Sequence, residues 1–99
     1  MTLVTRDDGA APGGGLSDPE RRVAEEIVRL AREDLGLEAP DRAGEPLAAA
    51  LDSLALLSLV VAVEDRFRVI LGDDDAAGTR TLEDLARLVT ARAAPEVLP

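Results

Sequence analysis

A helix laid over residues 53–67 is apolar on two sides at once, and this property narrows the folds open to the chain. At about 100° per residue, Leu56, Leu59, Val60, Val63 and Phe67 gather on one side. Leu54, Leu57 and Val61 gather on roughly the opposite side, joined lower down by Glu64 and Asp65. The run Val60-Val61-Ala62-Val63 could by itself be a buried strand, but its flanks keep helical spacing and carry no turn signal. The first stripe needs a core to cover it. The second has two explanations. Either the helix is sandwiched between others, or three aliphatic side chains ringed by acids form a surface for a partner.

The rest of the chain reads as further helix. Phe67 is the only aromatic residue in 99, although 46% of the chain is hydrophobic, so the core must be built from Leu, Val, Ile and Ala. Leu, Ala, Arg and Glu all favour helix. Ser17 or Asp18 can cap a first helix, with Pro19 at its start and Glu20 in its first turn. Val23, Ile27, Leu30, Ala31 and Leu35 keep the spacing of one apolar face, and Gly36 can end the helix in the left-handed conformation. Residues 38–50 form a long connection with Leu47 as its anchor in the core. The two-sided helix starts at Asp52-Ser53 and runs to about Leu71. A short helical turn follows near residues 73–77. Thr79 or Thr81 then caps a last helix whose apolar face is Leu82, Leu85, Ala86, Leu88 and Val89. The expectation is an all-α fold, a small bundle of three long helices plus one short one. It occupies residues 18–94, between a flexible tail over 1–17 and a short tail over 95–99.

Charge and missing residue types exclude several functions. A net charge of −9 repels nucleic acid and anionic membranes and suits partners with basic patches, though solubility alone also explains it. With no cysteine and no histidine, the chain has no disulfide, no thiolate, no zinc ligand of the usual kind and no histidine base. No apolar run reaches the length of a membrane span, and the N-terminus lacks a signal peptide's pattern. The expected setting is the cytoplasm, and the expected state a monomer. A hydrolase would have to work with carboxylates alone, and no pair of acids stands visibly in an apolar setting that would raise a pKa.

Ser53 stands at the amino end of the two-sided helix, after a long loop. Unpaired backbone N–H groups and the helix dipole favour an anion there. The commonest use of serine at such a place is a plain N-cap. The surrounding residues point elsewhere. Leu51-Asp52-Ser53-Leu54, followed by Leu57, Leu59, Val60, Val63, Glu64 and Phe67, resembles the signature of acyl carrier proteins. Leu35-Gly36-Leu37 before it and Thr81-Leu82-Glu83-Asp84-Leu85 after it resemble the same family, so the likeness spans about residues 19–93.

The resemblance implies a carrier and not an enzyme. A phosphopantetheinyl transferase moves a 4'-phosphopantetheine arm from coenzyme A onto Ser53, and the arm holds cargo as a thioester. Asp52 and Leu54 flank the attachment point, and Asp52 helps orient the transferase complex. Leu54, Leu57, Val61, Glu64 and Asp65 form the docking face for partners such as an acyltransferase, a ketosynthase or an acyl- or aminoacyl-activating enzyme. Where housekeeping fatty-acid carriers usually have Gly two residues before the Asp-Ser pair, this chain has Ala50. Where they carry acids along the helix, it has Ala55 and Ser58. It therefore looks more like the discrete carriers of specialised pathways such as polyketide or antibiotic biosynthesis. An aminoacyl or peptidyl carrier is the near alternative. A helical protein-interaction module without a prosthetic group is the alternative of another class.

Overall fold

The computed structural model of the protein describes residues 15–38 and 46–99. Residues 1–14 of the expected tail and 39–45 of the expected connection lie outside the described residues.

The first helix, α1 (Asp18–Arg29), begins on a reciprocal cap. The Ser17 hydroxyl accepts the Glu20 N–H at 3.2 Å, and the Glu20 carboxylate accepts the Ser17 N–H at 2.9 Å, so two donors that the helix cannot satisfy internally are paired. Its last turn widens into a π turn over Leu30–Asp34, closed by the Leu35 N–H on the Leu30 carbonyl. Gly36 then takes φ 66°, and the Leu37 N–H returns to the Ala31 carbonyl at 2.7 Å. That return bond is one residue wider than in the usual glycine-terminated motif, as the π turn requires.

A one-turn helix, α2 (Leu47–Ala50), was not legible in the sequence. It buries Leu47, the expected anchor, and the Leu47 N–H donates to the Arg80 carbonyl at 2.8 Å. The two-sided helix is α3 (Ser53–Phe67), and it ends four residues before the expected Leu71. Arg68 takes the left-handed conformation at φ 57°, and the N–H groups of Arg68 and Val69 both reach the Glu64 carbonyl. A non-glycine residue there costs about 1–2 kcal/mol. The reversal turns Val69 into the core, and burying a Val side chain returns a comparable ~1.5–3 kcal/mol.

A short helix, α4 (Asp73–Gly78), precedes α5 (Leu82–Arg92). Thr81 caps α5 by accepting the Asp84 N–H, while Asp84 accepts the N–H groups of Arg80 and Thr81. A 3₁₀ turn over Pro95–Val97 closes the chain.

Helix α1 packs against α5, and α3 packs against the π turn of α1 and against α2. Phe67, Ile27, Leu59, Leu85, Val23, Val63 and Val89 are fully buried. Leu56 and Val60 are half-buried and line a small apolar cavity of about 50 Å³ shared with Leu47, Leu71 and Leu85. No strand occurs among the described residues, and the fold is all-α as the sequence implies. One ion-pair cluster ties the layers together. The partly buried Glu26 carboxylate holds Arg29 and, 40 residues away, Arg66, each at 2.9 Å. Arg66 also donates to the Val97 carbonyl at 3.0 Å and lies over the Phe67 ring.

Candidate functional site

Two serines begin helices in this fold, and they are used differently. Ser17 is outside α1 and gives its hydroxyl to the cap. Ser53 is the first residue of α3, and the cap is Asp52, whose carboxylate accepts the Ala55 N–H at 2.8 Å. The side chain of the preceding residue thus does the work that a plain N-cap serine would do. Ser53 is exposed to solvent, and among the described residues no hydrogen bond engages its hydroxyl.

The surroundings suit a phosphate ester. The Leu56 N–H is taken by the Asp52 carbonyl and the Ala55 N–H by the Asp52 carboxylate, which leaves the N–H groups of Ser53 and Leu54 without an intrahelical acceptor. These free donors and the positive end of a 15-residue helix stabilise an anion on the neighbouring hydroxyl oxygen. Asp52 is spent on the cap, where its carboxylate on the Ala55 N–H helps hold the helix start in place.

Beside Ser53, one side of α3 is open. Leu54, Leu57 and Val61 are 73%, 59% and 55% exposed, and Asp65 continues the same side into solvent. The sandwiched-helix explanation therefore does not describe this molecule. Glu64 departs from the simple picture of an acid at the rim. It is half-buried, and its carboxylate accepts the Leu71 N–H at 2.8 Å. Sequence reasoning missed Ile70, which at 85% is the most exposed large apolar side chain among the described residues. An apolar residue near the expected end of a helix carries no sign that the helix stops short of it.

The shifted carboxylates are all shifted downward. The Arg29 guanidinium, aided by Arg66 and opposed by burial, holds Glu26 at about 2. Arg92 and the Gly72 N–H hold Asp75 at about 2. Backbone N–H groups of Arg80 and Thr81 lower Asp84 against a cost of desolvation. None of the three is poised to give up a proton near neutrality. Among the described residues no cluster of acids could hold a metal ion, and no described helix is long and apolar enough to cross a membrane.

An all-α bundle that presents an uncommitted serine at a helix start, next to an open apolar ledge, is the architecture of a carrier. The family model for the phosphopantetheine attachment site matches residues 25–89, about two thirds of the chain, from within α1 to within α5. The chain belongs to the phosphopantetheine attachment-site family. It is a carrier of covalently bound 4'-phosphopantetheine and not a catalyst. Carriers of this family work with a phosphopantetheinyl transferase and with biosynthetic enzymes. No curated protein and no solved structure matches the chain.

Proposed function

We propose that Ser53 is the residue that carries the 4'-phosphopantetheine group, that the cargo is an acyl group, and that the open side of α3 is the docking face. The observation that carries this reading is the division of labour between neighbours: Asp52 caps α3 and leaves the Ser53 hydroxyl uncommitted. On a transferase, the Ser53 oxygen forms a bond to the β-phosphorus of coenzyme A. The pyrophosphate P–O bond breaks, adenosine 3',5'-bisphosphate leaves, and the serine proton passes to a base on the transferase. The uncapped amides of Ser53 and Leu54 stabilise the anionic ester at that oxygen. The attached group supplies a thiol for a thioester, a function this cysteine-free chain cannot supply itself.

Leu54, Leu57 and Val61 offer an apolar contact, with Asp65 at its far end. Ala55 and Ser58 stand where fatty-acid carriers place acids, which supports a discrete carrier of a polyketide or related specialised pathway, served by an acyltransferase and a ketosynthase. Intact mass after incubation with coenzyme A and a promiscuous phosphopantetheinyl transferase tests attachment. One phosphopantetheine is gained by the wild type and none by Ser53→Ala. Offering the loaded carrier to acyltransferases and to adenylating enzymes tests the cargo. Loading only by the latter would replace the acyl reading with an aminoacyl one.

A further inference from the structure

The peptide unit between Ile70 and Leu71 is gripped from both sides. Its N–H donates to the Glu64 carboxylate of α3 at 2.8 Å, and its carbonyl accepts from the Arg92 guanidinium of α5 at 3.4 Å. Arg92 is itself fixed by two hydrogen bonds to Asp75, at 2.6 and 2.8 Å, and Asp75 also accepts the Gly72 N–H. These links fasten an irregular segment whose own side chain, Ile70, is 85% exposed. A large aliphatic residue held rigidly in water gains nothing for the fold, and it loses little freedom when a partner covers it.

Its place is set by Glu64. That residue follows Val61 by three positions and Leu57 by seven, so it lies on their flank of the helix. The clamped peptide therefore stands about one turn beyond Val61, where the ledge of Leu54, Leu57 and Val61 ends. Helix α3 has 15 residues and is about 22 Å long. An interface of ordinary size, roughly 800 Å² on each partner, covers that length, so a protein seated over Ser53 reaches the clamp. Charges of both signs stand along this side, although the chain as a whole carries −9. Glu64 is engaged by the loop, and exposed Asp65 is followed three residues on by exposed Arg68.

We propose that Ile70 is a second apolar anchor for the phosphopantetheinyl transferase, which meets this side with an apolar surface, and that Glu64 is a positioning residue for Ile70 and not a docking charge. The proposal rests on the reading of Ser53 and the α3 face given above.

The test is steady-state modification of the full chain by a phosphopantetheinyl transferase with coenzyme A, at two salt concentrations, with circular dichroism on each variant. Ile70→Ser and Glu64→Ala each raise KM about tenfold with kcat unchanged, as expected when one aliphatic contact is lost. The double variant is no worse than either single one, Glu64→Gln restores a near-wild-type KM because its amide oxygen still accepts the Leu71 N–H, and the salt dependence stays shallow. An unchanged KM for Ile70→Ser, with the wild type modified normally, overturns this inference and leaves the Ser53 reading standing. Glu64→Gln as harmful as Glu64→Ala makes Glu64 a docking charge and overturns its positioning role. A concentration-dependent dimer that Ile70→Ser dissolves makes a second copy the occupant. A wild-type chain that gains no group overturns the Ser53 reading and this inference with it.

Discussion

Leu59, Val63 and Phe67 lie on one side of α3 and are closed off from water, whereas Leu54, Leu57 and Val61 lie on the other and each keep more than half of their surface exposed. The two sets are alike in residue type, so hydrophobicity does not separate them. Neighbours do. The π end of α1 and the short α2 pack against α3, while among the described residues nothing covers the side that begins beside Ser53. The first set contributes to folding by leaving water. The second contributes almost nothing to folding, and on the proposed reading its apolar surface serves another protein. One helix thus holds the domain together with one face and leaves the other open, where partner docking is proposed, and each side can be altered without the other.

The sharpest way to break this contrast is to cut into the buried side. Phe67→Ala is expected to cost about 3–5 kcal/mol, read as a lower urea midpoint. Leu57→Ser, on the open side, leaves that midpoint within about 0.5 kcal/mol while slowing modification by the transferase. Equal losses of stability from the two changes would erase the distinction between the faces.

A smaller effect concerns the ion pairs that anchor the buried side to α1 and to the C-terminal turn. The folded protein holds Glu26 at about 2, below its ordinary value of 4.5, because Arg29 and Arg66 stabilise the carboxylate. A lowered carboxylate pKa adds stability that is fully present above about pH 4.5 and is lost as pH falls toward 2. Urea midpoints should therefore decline through that window. Glu26→Gln is expected to lose about 2 kcal/mol at pH 7 and to flatten the acid limb. Asp75 also titrates low, so some slope remains in the variant. The smallest effect is at the end of α3. Arg68→Gly relieves a left-handed residue and gains up to about 1 kcal/mol, read as a higher urea midpoint.

Much of this arrangement can be read from residue spacing, because caps and apolar periods are local. Ser17 with Glu20, Gly36, Asp52 with Ser53, and Thr81 all stand where the helices begin or end. The early stop of α3 is not legible in this way. Gly72 looks like the terminating residue, but Arg68 takes the left-handed turn, and arginine carries no such signal. The one-turn α2 is too short to show a period, and its Ala-rich run suits a loop anchor as well as a helix. The Glu26–Arg66 pair spans 40 residues, and the Glu64–Leu71 bond depends on where α3 stops. Both follow from packing. The same holds for Ser53, since a serine at a helix start is cap or free hydroxyl according to what its neighbour does.

The chain has three serines, Ser17, Ser53 and Ser58, and only Ser53 combines exposure, a helix start and a hydroxyl not used as a cap. Fragmentation of the transferase-modified protein, with the mass of the added group followed through each serine-containing peptide, puts that assignment to the most direct test. The group is expected on Ser53 alone, in a one-to-one product. Finding it on Ser17 or Ser58, or finding Ser53→Ala modified as fully as the wild type, would contradict it.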